Sequence, residues 1–411
     1  MPGHRISRIW QYNPILDAPM KYRRACRYEP FIPDPLTGLS FSLDSEVAGV
    51  VSEAEGAIRR LNDVAQPALA PLARLLLRTE SIASSKVEGL QLGLRELARA
   101  ETRIESGGKP SPTAVEVLGN IDAMELAIQH AASVERFTMD DMIAIHRRLM
   151  EKAPNAKIAG TIRTEQNWIG GNNYNPCAAD FVPPPPELVD TLLSDLCIAI
   201  NEAVLPPLVQ AALVHAQFET IHPFHDGNGR TGRALIQVVL RRRQIAPSYV
   251  PPISVMLANT RDRYIDGLTR FREDGIQGVS DWVEHFAGAT AGAARLATAY
   301  LRAVQLLTAH WRAQLAASTQ APRTDATAWA IIETLPAHPM ITAAVAVAAT
   351  GRSKPSIYQG LKELEAAGVL IPLSTSPRNQ SWEAVGLFDL LAGLEAGELP
   401  GDIDDGVKHL R

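Results

Sequence analysis

The sequence predicts a mainly α-helical protein of two or three packed units, with one small β-hairpin and a helical module near its C-terminal end. Three observations predict this. Apolar residues recur at three- and four-residue steps through much of 43–314, as in Val47, Val50, Val51, Ala54, Ile58 and Leu61. Strand-like runs are short and fall within 158–186 and 369–384. The length, 411 residues, is more than one small core organises.

Taken in order, residues 1–42 are rich in Pro, Tyr and Arg, lack periodicity, and read as an extended arm. A helical segment at 43–110 follows, its second helix starting near Pro71 and stopping near Gly89. Gly107 to Pro112 breaks it, and a core at 111–314 begins, with helices expected at 114–132, 139–151, 187–202, 259–273 and 280–314. Between them, Trp168-Ile169 and Phe181-Val182 flank the turn-forming run Gly170-Gly171-Asn172-Asn173, the pattern of a hairpin. An Ala/Thr-rich linker at 315–326 leads to three helices and two strands over 327–390, the order of a winged helix-turn-helix. Residues 391–411 are left as a tail.

Composition narrows the partners. Apolar and charged fractions of 46% and 21% are those of a soluble globular protein, and a net charge of −5 gives no global field for nucleic acid. Cys26, Cys177 and Cys197 show no metal spacing; so sparse and odd a set points to a reducing compartment and to cysteines used for packing. No membrane span or secretory signal is visible, which makes the cytoplasm the simplest address.

The chemistry concentrates in His222-Pro223-Phe224-His225-Asp226-Gly227-Asn228-Gly229-Arg230-Thr231-Gly232-Arg233. Gly227-Asn228-Gly229 precede a helical run, so their unshielded N–H groups can receive phosphate oxygens. Asp226 can hold a Mg²⁺ that bridges phosphates. Arg230 and Arg233, three apart, point to one side of the first turn and can grip terminal phosphates. His222 can take a proton from an attacking hydroxyl near neutral pH. Phe224, apolar in a polar run, is expected to plug into the core. A lone His-Pro or Gly-Asn-Gly is ordinary; their conjunction with an acid and two arginines is not.

This run resembles the signature of the Fic family of AMP transferases. The likeness extends to 43–105, similar to the N-terminal helical segment of multi-domain Fic proteins, and to Gln166–Gly171 through Pro183–Pro186, similar to the family's flap. The resemblance implies a Fic-type helical core with a β-hairpin flap, and a protein adenylyltransferase using ATP and Mg²⁺. His222 would be the general base and Asp226 the metal ligand. Gly227, Asn228, Gly229, Arg230, Thr231, Gly232 and Arg233 would form the ATP site, with Asn228 and its flanking amides on the α- and β-phosphates. Relatives that transfer phosphate carry Lys where Gly229 stands, so glycine favours AMP. Tyr264 resembles the tyrosine of the adenine pocket, although a tyrosine on an amphipathic helix also suits a core. Ile169, Gly170 and Gly171 would align the target as an added strand.

Ser84 and Glu88, four apart in Ser84-Ser85-Lys86-Val87-Glu88-Gly89, share a helix face and resemble the family's inhibitory helix. Glu88 would pair with Arg233 and occupy the space of the γ-phosphate. The expected partners are ATP and a protein substrate, which can be the chain itself, with a homodimer allowed and no membrane. In the C-terminal module Arg352, Lys354, Lys362 and Arg378 could meet DNA phosphates. Yet residues 323–388 hold five Lys/Arg against five Asp/Glu, so protein docking is favoured. The alternative function is a DNA-bound regulator whose Fic core senses nucleotide.

Overall fold

Helix dominates the computed structural model, which describes residues 1–400 except 13, 15, 16, 64–69, 106, 320 and 374–379. The helices are α1 (Ser45–Asp63), α2 (Ala70–Val87), α3 (Leu94–Glu105), α4 (Pro112–Ser133), α5 (Met139–Met150), α6 (Pro186–Asn201), α7 (Pro207–Ile221), α8 (Asn228–Arg242), α9 (Ile253–Asn259), α10 (Arg261–Glu273), α11 (Gly275–Ala316), α12 (Thr327–Thr334), α13 (Ala343–Thr350), α14 (Lys354–Ala366) and α15 (Leu387–Ala396). The strands are β1 (Gly3–Arg5), β2 (Arg8–Trp10), β3 (Cys26–Tyr28), β4 (Phe31–Pro33), β5 (Met340–Thr342), β6 (Leu370–Pro372) and β7 (Ser381–Ala384). Among the described residues no helix is long and apolar enough to cross a membrane.

Two units interleave along the chain, where the sequence alone suggests serial boundaries. The first takes Met1–Glu55, Asp122–Ile245 and Thr260–Gly288; the second takes Gly56–Ile121, Ala246–Asn259 and Ala289–Arg411. In the first, each residue of α7 from Leu208 to Ile221 is buried, polar ones included, which makes it the central helix. Pro207 opens it, where a missing N–H costs nothing. Nearby α5 starts on a capping box in which Thr138 and Asp141 satisfy each other's backbone N–H groups.

The arm at 1–42 carries more order than its lack of periodicity predicts. β1 pairs antiparallel with β4, and β2 with β3. Three-residue strands are too short to show an alternation of two, so the sequence hides them. The arm meets residues 168–182. Trp10 packs edge-on against Trp168 at 5.4 Å, Tyr22 stacks on Tyr174 at 5.1 Å, and the Phe31 N–H donates to the Val182 carbonyl at 2.9 Å. A disulfide joins Cys26 to Cys177 with Cα atoms 6.1 Å apart. This corrects the reading of those two cysteines as packing residues and removes the argument for a reducing compartment; Cys197 alone is free and buried.

In the second unit the buried Glu80 carboxylate accepts from the Ser254 N–H (2.8 Å) and hydroxyl (2.6 Å), fixing the start of α9 against α2. Glu395 of α15 likewise accepts from the Leu94 N–H at 2.8 Å. The C-terminal elements run α12-β5-α13-α14-β6-β7-α15, with sheet order β5-β7-β6. Strand β5 is a third strand beside the two expected. Thr342 then caps α13 by accepting from the Val345 N–H. Helix α15 buries Leu387, Phe388, Leu391 and Leu394 and runs through the boundary drawn at 390. Arg378, named above for a DNA contact, lies outside the described residues.

The disulfide closes a long loop, with its cysteines 151 residues apart. Such a cross-link stabilises by about 2–4 kcal/mol through the unfolded state. A reductant is expected to lower the thermal midpoint of the parent, and Cys177→Ser to lower it equally and abolish the response. An unchanged midpoint in both would deny the bond.

Candidate active site

The site is built on one tight turn between two buried helices. α7 ends at His222, whose N–H still donates to the Phe218 carbonyl (2.9 Å) while its backbone turns left-handed at φ 49°. Pro223 then stops the helix. Phe224 is fully buried, as the sequence predicts, and stacks flat on the His146 ring at 3.6 Å. Asn228 closes the loop: its Oδ1 accepts from the Phe224 N–H (2.9 Å) and its Nδ2 donates to the Phe224 carbonyl (2.8 Å). Gly227, at φ 77°, precedes α8 and donates its N–H to Asp226 Oδ1 at 2.6 Å. The first bond of α8 runs from the Thr231 N–H to the Gly227 carbonyl, so the Asn228 and Gly229 amides open the helix at its positive end.

The predicted residues divide. His222 is 19% exposed, with Nδ1 4.0 Å from Glu219 Oε2. Asp226 is 57% exposed, and Arg230, itself buried, brings Nη2 to 3.9 Å from its Oδ1. Arg233 is fully buried. These lie together around the turn. Asn228 is placed there too, but both polar atoms of its side chain serve Phe224, so its backbone amide is what a phosphate can meet. Thr231 and Gly232 face helix packing instead. At Gly232 a β-carbon would collide with Glu219 Oε1 and lie 3.0 Å from Phe218 Cδ1, so α8 can approach α7 only with glycine there. Tyr264 is 3% exposed, its hydroxyl 2.9 Å from His215 Nε2, inside a cluster with Trp282; that is core packing and offers adenine little surface.

Ile169 pairs with Phe181 in an antiparallel bridge, its N–H donating to the Phe181 carbonyl at 2.9 Å. Gly170 and Gly171 follow with φ of 74° and 71°. Asn172 Oδ1 then accepts from the Tyr174 and Asn175 N–H groups. Ser84 and Glu88 belong to the second unit. Ser84 is fully buried in α2, whereas Glu88 is exposed in the turn after Val87, its N–H on the Ser85 carbonyl at 3.1 Å.

Outside the signature, His146, Arg163 and Asn167 hold the turn, with Glu219 and Arg272 nearby. His146 Nδ1 accepts from the Gly160 N–H (3.0 Å), so Nε2 carries the hydrogen and donates to the Asp226 carbonyl (3.0 Å). Burial lowers its pKa to about 4, the Asp226 interactions opposing. Arg163 and Asn167 donate to loop carbonyls from the segment before the Ile169–Phe181 bridge. Glu219 stands beside His222, and the buried Arg272 lies over the Phe181 ring at 3.9 Å. Burial lowers the Arg272 pKa to about 10, with the Glu219 charge opposing. The only sequence signal for these is polarity inside otherwise apolar or hairpin-forming runs.

Among the described residues no cluster of three or more His, Cys, Asp or Glu could hold a metal. Asp226 nevertheless fits a hard cation that keeps most ligands from water and substrate: it is one exposed carboxylate with a single oxygen tied to a backbone N–H.

Comparison with known proteins places the turn in a family. Residues 136–240 match the Fic/DOC family, and residues 49–129 match the Fic/DOC family N-terminal model. The two matches together cover less than half of this chain. The chain is 33% identical over 190 residues to the protein adenylyltransferase Fic of Nematostella vectensis, covering 44% of this chain and 40% of that relative. It is 27% identical over 255 residues to the protein adenylyltransferase fic-1 of Caenorhabditis elegans, covering 58% and 47%. It therefore spans less than half the length of these curated relatives. A crystal structure of a Fic family protein from Desulfovibrio desulfuricans G20 shares the fold, with TM-score 0.51 and 23% identity over 84% of this chain and 98% of that one.

His146 yields a pH prediction. Its native pKa, about 4, lies below the ordinary 6.5, so the unfolded chain binds the proton first as pH falls. The stability that neutral His146 contributes is present above pH 6.5 and is lost toward pH 4, at up to about 1.4 kcal/mol per pH unit. Thermal midpoints from pH 7 to 4.5 should fall more steeply for the parent than for His146→Gln; parallel slopes would contradict the assignment.

Proposed function

We propose that this chain transfers AMP from ATP to a hydroxyl group of a protein, the chain itself included, with release of pyrophosphate. One observation carries the reading: an imidazole at the end of α7 faces, across a single turn, the amide-rich start of α8, with Asp226 and Arg230 beside it. The names of the adenylyltransferase relatives support it. His222 takes the proton of the attacking hydroxyl; the new bond forms at the α-phosphorus as the bond to the β-phosphate oxygen breaks. The Asn228 and Gly229 amides and the Arg230 and Arg233 guanidiniums receive the phosphate charge, and their removal from water strengthens that hold. Mg²⁺ at Asp226 would neutralise part of the same charge.

Residues 168–181 serve as a flap that lines up the target along the Ile169-Gly170-Gly171 main chain. The α12–α14 helices with the β5-β7-β6 sheet form a winged helix. It docks protein in preference to DNA, because the exposed Arg352, Lys354 and Lys362 are matched by acids in the same module. A homodimer is compatible with that role.

With ATP labelled on the α-phosphate, the parent should label protein, whereas a γ-label should give none. His222→Ala is expected to lose about 10²–10⁴-fold in rate with ATP binding retained. Asp226→Ala should lose Mg²⁺-dependent ATP affinity by calorimetry. Parental transfer by His222→Ala would remove it as the base.

Glu88 is proposed as a brake that pairs with Arg233 and holds the γ-phosphate space, on the strength of the sequence resemblance. Glu88→Gly should then raise α-label transfer, and adding Arg233→Ala should cancel the gain, since the two effects cannot simply add. A folded, ATP-binding Glu88→Gly no faster than the parent would make 84–89 an ordinary helix end.

A further inference from the structure

We propose that Arg163, which lies outside the signature, is a positioning residue that locks the backbone of His222 and so aims its imidazole; this rests on the reading of His222 as the base. Among the described residues only His222 and Gln244 have positive φ without being glycine. For an L-residue that conformation costs roughly 1–2 kcal/mol. His222 also precedes Pro223, and a residue before proline favours extended backbone instead. The local sequence therefore opposes the conformation found, and an outside group must supply what holds it.

Arg163 supplies it. Its Nε donates to the His222 carbonyl at 2.9 Å, and its Nη2 to the Ile221 carbonyl at 3.3 Å. Its backbone N–H donates to the Pro223 carbonyl at 2.9 Å. Three consecutive carbonyls are thus held by one residue. The remaining bonds go to the Glu165 carbonyl (from Nη1, 3.2 Å) and the Pro184 carbonyl (from Nη2, 2.6 Å). Asn167 Nδ2 adds a second donor on the His222 carbonyl at 3.1 Å.

The guanidinium is 1% exposed, and among the described residues every hydrogen-bond acceptor it meets is a backbone carbonyl. Its pKa falls to about 10, because burial outweighs the more distant Glu187 charge. An isolated buried cation is costly. What offsets that cost here is the negative end of α7, where Ile221 and His222 present the last carbonyls of the helix. A lysine keeps the charge but offers one nitrogen where the planar fork reaches several carbonyls at once.

The ATP-facing side of the turn is held separately, by Asn228 on Phe224, so loss of Arg163 should separate rate from affinity. Arg163→Lys is expected to cut the AMP-transfer rate constant about 100-fold, the scale of an ångström of misplacement, with Mg·ATP affinity unchanged by calorimetry. Asn167→Ala, which removes a donor shared by the His222 and Phe224 carbonyls and no buried charge, should cut it about tenfold. In a His222→Ala background neither change should slow transfer further. The ¹³Cα shift of labelled His222, which reads backbone conformation, should move toward extended values in both variants.

Parental rate and parental ¹³Cα shift in folded Arg163→Lys would overturn the proposal. So would equal further loss in the His222→Ala background, or a fall in ATP affinity that accounts for the rate. If Arg163→Lys does not fold, Asn167→Ala decides by the same measures. If the parent transfers no AMP, the proposed function fails, whereas the ¹³Cα shift still decides whether Arg163 holds His222.

Discussion

The site depends on one side-chain amide acting as a piece of backbone. Asn228 gives Phe224 both an acceptor for its N–H and a donor for its carbonyl, the exchange that a neighbouring strand would otherwise supply. A buried peptide group left without those partners would cost a few kcal/mol. With the amide in place, the chain reverses between two helices within the six residues 222–227, and Phe224 stays inside against His146. Aspartate lacks the donor and glutamine is a carbon longer, so neither reproduces the geometry. Imidazole, carboxylate and helix start are neighbours because this turn is tight.

Most of that arrangement is legible in the sequence because the turn is local. The order His-Pro-Phe, acid, Gly-Asn-Gly and two arginines specifies a helix end, a plug and a helix start, and each is found where the motif places it. What the residues do inside the motif is less legible. Gly232 stands in a run of phosphate-type glycines, yet its constraint comes from Glu219 and Phe218 on α7, one helix earlier. Asn228 reads as a phosphate contact and proves to be a loop closure. Tyr264 is settled by its neighbour His215, which lies 49 residues away and cannot be paired with it by spacing.

The supporting shell is illegible for the same reason. His146, Arg163 and Asn167 reach the turn from segments whose own pattern says only helix or hairpin, and a histidine on α5 shows no sign of stacking on Phe224. The cysteines mislead through sparsity: two of three are joined across 151 residues, a separation that no spacing rule detects. The interleaving of the two units is similarly invisible, since a walk along the chain divides it serially while Glu80 finds Ser254, and Leu94 finds Glu395.

The N-terminal arm has a consequence for the order in which this molecule can assemble during synthesis. Trp10, Tyr22, Cys26 and Phe31 all find their partners among residues 168–182, and Cys177 follows Cys26 by 151 positions. At ribosomal speed that gap is roughly 8–30 s, during which the arm has nothing to dock on. Two three-residue ladders are too short to persist alone, so the arm waits as open chain with its aromatic side chains bare. A segment made early is thereby late to settle, and residues 168–182 beside the site are fastened only after the chain has doubled back to the arm.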